Sequence, residues 1–433
     1  MRSWQTLMIN RVFAQRDGAT QKKARAVSHW RLLFARDFGL IWLSQLVSQV
    51  GDGISNLALL WFVYSITGSP VKTTIIGLLH TIPPIVLGPV IGVYVDRLPK
   101  KIFLIGSNAL RAVLIGVLPC AIQTDAFTVN FLYALVLFDA VAMAMFNPAL
   151  TSSVPLIVSR AQFTAANALI QSTTSLGIIF GPAMSGIGIA FFGSQEVLCL
   201  NAVTYFVAAL CLALVRLGTL PPSAEPKRTN GSALQDLSEG LAFVVIKQRI
   251  IVLLVVTAGC YGFGASALTT LFPVFARKLL GLGPVEVGYL WSALGVGLLL
   301  MSMALLRFTE WNLSARTRII AGASVASALA IGVLAWTNNL LLVGLLMIVI
   351  GGGMGAFTPI AWGIVQELTP GNLVGRVMSL YSTGAMTAAI SGISMFGWIT
   401  ERFGESTGVA GIGATFLLTA SLGGWLSWSI RNR

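Results

Sequence analysis

Three charged residues stand inside long apolar stretches of this sequence: Asp52, Arg111 and Asp139. A charge held in hydrocarbon is costly, so such residues serve ion pairing, proton transfer or substrate contact. Asp52 has no basic residue near it in the chain. A carboxyl group in a low-dielectric site takes up a proton more readily than one in water. Asp52 is therefore a candidate proton carrier, or else a local structural group bonded to Gln45, Gln49 or Ser55. Arg111 and Asp139 each lie roughly 15 Å along their own runs at the helical rise per residue. Those runs are consecutive and antiparallel, so a mid-membrane ion pair between Arg111 and Asp139 is feasible. Asp139 is also the second candidate for proton coupling. His80 could titrate near neutral pH, or simply donate to a backbone carbonyl.

These residues are positioned by about twelve continuous apolar runs, the first beginning near Phe38 and the last ending near Ile430. The chain is 56% hydrophobic and only 10% charged, with mean hydropathy +0.83. Runs of about 20 apolar residues suit bilayer-spanning helices, and their continuous rather than alternating pattern excludes strands. The expected fold is an all-α membrane protein.

The net charge of +13 comes from 28 Lys and Arg against 15 Asp and Glu. In a soluble protein that charge would suggest nucleic-acid binding; here the basic residues gather in alternate loops, as in the cytoplasmic loops of membrane proteins. They crowd the first 36 residues, the loop at Arg97, Lys100 and Lys101, the central stretch from Arg216 to Arg249, and the C-terminal Arg431 and Arg433. The intervening loops carry Lys72, Arg277, Lys278 and Arg402. An even number of spans with both termini cytoplasmic fits this bias. The N-terminal segment lacks the apolar core of a secretory signal and reads as a basic tail. The four cysteines lie in apolar runs, without a ligand or disulfide spacing.

The organisation expected is a basic segment over 1–37, a six-helix bundle over 38–218, a cytoplasmic linker over 219–249 and a second six-helix bundle over 250–433. The linker contains Pro221, Pro222 and Pro226, followed by an amphipathic stretch from Ala233 to Ile246. The two halves repeat one another. Gly51-Asp52-Gly53 corresponds to Gly262-Phe263-Gly264, Pro148 to Pro359, Gly181 to Gly392 and Gly186 to Gly397. Ordered matches of this kind indicate a duplicated unit. The second half keeps the glycines and replaces the carboxylate with Phe263, so the fold itself does not require Asp52. Duplicated bundles are the pattern of secondary transporters, with the substrate site between the repeats.

Between the second and third spans stands Gly92-Val93-Tyr94-Val95-Asp96-Arg97-Leu98-Pro99-Lys100-Lys101. It resembles the signature loop of the major facilitator superfamily, with Pro99 where that family has Gly. The fifth span carries Gly177-Ile178-Ile179-Phe180-Gly181-Pro182-Ala183-Met184-Ser185-Gly186. It is similar to the antiporter motif of drug exporters in that superfamily, with Ser185 in place of a glycine. Gln45 to Asp52, Thr67-Gly68-Ser69, Asn147-Pro148-Ala149 and Ala165 to Leu169 resemble the branch of enterobactin exporters and macrolide efflux pumps.

The resemblance implies two pseudo-symmetric six-helix bundles working by alternating access, with helices one, four, seven and ten lining the cavity. It implies a gating loop of Gly92, Asp96, Arg97, Lys100 and Lys101, and an antiporter-like surface at Gly177, Gly181, Pro182 and Gly186. Many proton-coupled exporters carry an Arg in the fourth span; Asp139 stands there instead, so that relay does not carry over. Phe263, Trp291 and Trp362 are candidates to line an aromatic cavity, while other tryptophans suit interfacial belts. Glu367 is expected to be solvated or paired with Arg376.

The expected function is proton-coupled export of a small amphipathic organic compound, of drug or macrolide type, from a bacterial inner membrane, by a functional monomer. A dedicated siderophore or lysophospholipid exporter is the nearest alternative. A membrane-embedded enzyme or a sensor is more remote, since no clustered His or carboxylates and no added soluble domain are present. Gly351-Gly352-Gly353 follows no strand and is not a nucleotide cradle. No cofactor or metal is expected.

Overall fold

The computed structural model describes residues 29–217 and 249–431, apart from positions 98, 123, 125–126, 159–161, 307–311, 335, 338 and 370–372. Most of the basic segment and of the linker, including its amphipathic stretch, lies outside the described residues. Within them are twelve long helices. They are Arg36–Thr67 (α1), Pro70–Arg97 (α2), Lys100–Ile122 (α3), Val129–Ser153 (α4), Phe163–Phe192 (α5) and Ser194–Leu214 (α6). The second set is Arg249–Leu279 (α7), Pro284–Leu306 (α8), Leu313–Leu334 (α9), Leu340–Leu368 (α10), Val374–Phe403 (α11) and Glu405–Arg431 (α12).

Eleven of these are long and apolar enough to cross a bilayer. The exception is α11, a 30-residue helix bearing Ser382, Thr383, Thr387, Ser391 and Ser394. It packs against α2, α7 and α12. Ser391 and Ser394 donate back to Thr387 and Ile390 carbonyls, which satisfies hydroxyls in an apolar setting.

The duplication is visible in local chemistry. Thr128 caps α4 by accepting from the Phe131 amide, and Asn339 caps α10 by accepting from the Leu342 amide. Among the described residues, the four with positive φ are glycines in the matching turns: Gly68 and Gly281 after α1 and α7, and Gly193 and Gly404 after α5 and α11. These left-handed positions disfavour any residue with a Cβ.

The packing repeats as well. The α1·α5, α1·α6, α2·α4, α3·α4 and α3·α6 contacts recur as α7·α11, α7·α12, α8·α10, α9·α10 and α9·α12. The halves meet through α5·α8 and its counterpart α2·α11. Gly186 of α5 lies against Pro284 and Gly288 of α8, and its repeat partner Gly397 of α11 lies against Thr74 of α2. Small residues allow such close approach between membrane helices.

The apolar core is joined at one end and divided at the other. One cluster runs through both halves, from Ile54–Tyr64 of α1 to Leu268–Ala276 of α7 and Leu290 of α8. At the opposite end, separate clusters serve each half: Ile41, Leu104, Phe146 and Leu212 in one, and Ile251, Phe357, Ile364 and Leu426 in the other. Among the described residues the halves are therefore joined at one end and separate at the other.

The sealed end carries the polar cross-contacts too. Glu401 of α11 accepts from the Ser69 hydroxyl (2.5 Å) and from the Val71 amide (2.9 Å) at the start of α2. The Arg277 guanidinium lies over the rings of Trp61 and Tyr64.

The basic segment is not wholly a tail. Residues His29–Phe34 form a 3-10 turn, and Leu32 is buried with Phe38, Val154, Val158 and Ala166. Asp37 accepts from the Arg216 amide (2.9 Å), tying the start of α1 to the end of α6.

Candidate functional site

The close packing of α1 on α6, α3 on α6 and α3 on α4 brings four polar side chains to one point. Arg111 of α3 donates from Nε to Asp139 Oδ1 (3.0 Å) and from Nη2 to Asp139 Oδ2 (3.2 Å). The same Nη2 lies 2.8 Å from Asp52 Oδ1 and 2.6 Å from the Tyr205 hydroxyl. Tyr205 in turn donates to Asp52 Oδ1 (2.5 Å), and its ring lies under the guanidinium. The expectation that Asp52 lacks a basic partner is thus corrected. An arginine side chain spans the depth difference between α1 and α3, which counting residues along single helices does not reveal.

The cluster holds two carboxylates around one guanidinium. The Arg111 and Asp139 side chains are 5% and 3% exposed, whereas Asp52 is 21% exposed. Asp139 is spent on a two-point bond to Arg111; Asp52 faces open space. A cavity of about 280 Å³ adjoins it, lined by Gln49, Asn56, His80, Thr174 and Ile178 among others. His80 Nε2 is buried there without a protein partner among the described residues. Tyr205 and Asn56 were not singled out from sequence. A tyrosine and an asparagine in apolar runs look like ordinary packing and interface residues until neighbouring helices are in place.

The recess beside Asp52 belongs to a ring of four that share lining residues. Ile178 links it to a recess of α5, α7, α8 and α10, Tyr261 and Thr358 link that to one of α7, α10 and α11, and Ser266 links the next back to Asn56 and His80. Helices α1, α4, α7 and α10 contribute, but so do α2, α5, α8 and α11. Arg111 and Tyr205 reach in from α3 and α6. The walls differ in character. The first half supplies the charged cluster, while the second supplies Tyr261, Phe357, Trp362, Tyr381 and Met386.

On α5 and α8 the cavity residues are offset from the seal. On α5 they run from Gln171 to Ile178, with the seal at Pro182 and Gly186; on α8 they run from Gly295 to Ser302, with the seal at Pro284 and Gly288 and a further cross-half approach of Gly295 to Ile178. The cavity therefore sits toward the divided end. That end carries Arg36, Lys100, Lys101, Arg216, Arg316, Arg318 and Arg431.

Of the aromatic candidates, Trp362 lines the cavity. Trp291 instead is buried edge-on against Phe272 in the joined core, and Phe263 packs edge-on against Phe396. Both are spent on closing the core, so the aromatic wall is assembled from Tyr261, Phe357 and Tyr381 instead. Tyr261 stacks on Phe357 at 4.1 Å.

In the antiporter-like segment, Gly177 abuts the Gln49 carbonyl, Gly181 abuts Gly53, and Gly186 crosses to α8. Pro182 sits inside α5 with its carbonyl beside Gly288. Ser185, the departure from the motif, donates to the Ile54 carbonyl at 2.8 Å. The segment packs the turn that carries Asp52. In the expected gating loop, the side chains of Gly92, Asp96 and Arg97 lie outside the described residues. Lys101 Nζ donates to the Ala213 carbonyl (2.7 Å), and Lys100 opens α3. Glu367 pairs with Arg316 (2.6 Å), which α9 brings beside the end of α10.

A family model described as Major Facilitator Superfamily matches residues 41–393. The chain is 23% identical over 380 residues to macrolide efflux protein A of Streptococcus pyogenes, covering 87% of this chain and 91% of that one. It is 27% identical over 389 residues to the multidrug efflux pump Tap of Mycolicibacterium fortuitum, again covering 87% and 91%. In fold it is similar to the crystal structure of a bacterial homologue of the iron transporter ferroportin. That match has TM-score 0.72 and 16% identity over 90% of this chain and 98% of the other.

Proposed function

The chain belongs to the major facilitator superfamily, and we propose that it is a proton-coupled exporter of amphipathic organic compounds of drug or macrolide type. It is a membrane transporter with efflux relatives, not an enzyme. The observation that carries the finer reading is the charge arithmetic of the cavity wall. Two carboxylates share one guanidinium, so one negative charge is left over at a site facing open space. That surplus is suited to a proton or to the cationic group of a cargo, but not to both together.

The cycle follows from this competition. In the present arrangement the cavity is closed at one end and faces the basic end, which is cytoplasmic if the loop charges obey the positive-inside bias. Both termini then lie on the cytoplasmic side of a bacterial inner membrane. Cargo entering from that side displaces the proton from Asp52, its apolar body lying on the wall of Tyr261, Phe357 and Trp362. Rocking of the two halves breaks the seal and forms another at the basic end. A proton from outside then replaces the cargo. Such coupling requires only that Asp52 change occupancy between the two facing states. Asp139 stays paired and holds Arg111 in place. One chain carries the whole cavity, consistent with a functional monomer.

The test is efflux from proteoliposomes with a panel of lipophilic drugs and macrolides under an imposed pH gradient. Export that is unchanged when a protonophore collapses the gradient would remove the proton-coupled reading.

A further inference from the structure

A second polar site lies far from the central cavity, between α9 and α12 at the basic end. Each helix presents a serine and an arginine four residues apart, hence on one face: Ser314 with Arg318 on α9, and Ser427 with Arg431 on α12. The two serines meet. Their hydroxyls are 3.1 Å apart, and Ser427 also donates to the Ser314 carbonyl. They form the floor of a cavity of about 710 Å³, bounded by both arginines and by Trp428.

The helices run antiparallel, so the arginines flank the serine pair along the axis, each offset by roughly 6 Å at the helical rise. Arg318 lies on the membrane side and Arg431 on the aqueous side. Side chains lean toward the N-terminus of their own helix, which turns Arg318 outward and Arg431 inward, both toward the level of the serines. Neither has a carboxylate within ion-pair distance among the described residues. Their neighbour Arg316 is different, being paired with Glu367. Deeper along α12, a Cβ added at Gly424 would meet nothing within 4 Å, leaving the groove open toward the hydrocarbon. Trp428, at 63% exposure, stands where indole rings favour the membrane boundary.

Two guanidiniums without a carboxylate partner among the described residues, beside a pair of hydroxyls, supply the donors that a phosphate anion accepts. An apolar groove leading away from them into the bilayer matches a tail attached to that phosphate. We infer that the α9–α12 groove holds the phosphate headgroup of an anionic phospholipid, with an acyl chain running past Gly424. Basic recesses between helices at the cytoplasmic face are suited to such headgroups. The inference does not depend on what the central cavity transports, and its test involves no transport.

The experiment uses the full-length protein, delipidated in neutral detergent and titrated with phosphatidylglycerol, phosphatidylcholine or inorganic phosphate. Bound lipid is counted by native mass spectrometry. Quenching by brominated phosphatidylglycerol is read as the difference between the wild type and Trp428→Phe. Phosphatidylglycerol should bind at least about tenfold more tightly than phosphatidylcholine and quench Trp428, because only its headgroup leaves a net charge for the arginines. The Arg318→Gln/Arg431→Gln double variant should lose that preference, while Arg316→Gln should keep it. Gly424→Leu, which blocks the groove but keeps both arginines, should also weaken phosphatidylglycerol binding. Equal binding of the two lipids, an unchanged double variant, or an equal loss in Arg316→Gln would overturn the assignment. So would inorganic phosphate binding as well as the lipid, with Gly424→Leu without effect, since the source would then be a soluble anion.

Discussion

Arg111 and Asp52 stand 59 positions apart in the chain and meet with Nη2 2.8 Å from Oδ1. The same guanidinium holds Asp139 by two bonds, so the two acidic residues are bridged through one cation. This makes Asp52 a carboxylate with a partner it must share. The Tyr205 hydroxyl, which links α6 to the same oxygen, makes the carboxylate common to three helices.

Asp52→Asn should abolish export against a gradient and weaken binding of a cationic cargo, since it removes the charge for which proton and cargo compete. Asparagine keeps the shape but cannot exchange a proton, so the occupancy difference that drives the cycle is lost. The measurement compares efflux under an imposed pH gradient with cargo binding at fixed pH. An Asn variant exporting uphill at the wild-type rate would make Asp52 structural and move attention to His80, whose Nε2 is buried beside the cluster.

Removing the cation should hurt more than removing either anion. Arg111→Gln leaves two carboxylates facing one another in a buried site, a loss of about 3–5 kcal/mol by analogy with broken buried pairs. Asp139→Asn leaves Arg111 its bond to Asp52 and should cost less. Combining Arg111→Gln with Asp139→Asn should recover part of the loss. Thermal unfolding in detergent gives the order, and Asp139→Asn proving the more damaging of the single variants would contradict the shared-cation arrangement.

Glu401→Gln should loosen the sealed end. Its carboxylate closes on the first turn of α2, where backbone amides are unpaired and a negative charge is favoured. The neutral variant should shift the balance away from the present state by a few-fold, seen as longer spin-label distances between the α2 and α11 ends. Unchanged distances would mean that the apolar core alone keeps this end shut.

Gly181 and Gly186 should fail differently. A Cβ at Gly181 meets Gly53 within the same half, so Gly181→Val should lower folding yield. A Cβ at Gly186 meets the Pro284 carbonyl across the seal, so Gly186→Val should fold yet favour the opposite-facing state. Cysteine accessibility from each side of the membrane separates the two outcomes. Equal loss of folded protein in both would place Gly186 in the fold rather than in the switch.

Asp96→Asn should slow transport without preventing insertion, since the loop it occupies resembles the family gate. Normal transport kinetics in that variant would argue against a gating role.

The twelve helices, their pairing into a duplicated bundle and the family were readable from the chain itself. Lipid leaves a backbone no other way to satisfy its hydrogen bonds than helices or closed barrels, and Gly186 with Gly397 or Pro148 with Pro359 mark the repeat locally. The three buried charges were readable too, because a charge in an apolar run is conspicuous. What tertiary structure alone decided was who meets whom. Periodicity fixes the face of one helix but not the crossing that lets Arg111 reach Asp52, the ring of Tyr205 beneath it, or the diversion of Phe263 and Trp291 into the core. The same limit hid the groove at Arg318 and Arg431: two Ser-x-x-x-Arg stripes 113 residues apart, measured between serines, become one site only when α9 and α12 pack antiparallel. Contact between helices depends on tilt, depth and side-chain length together, and none of these is written in the residues of a single span.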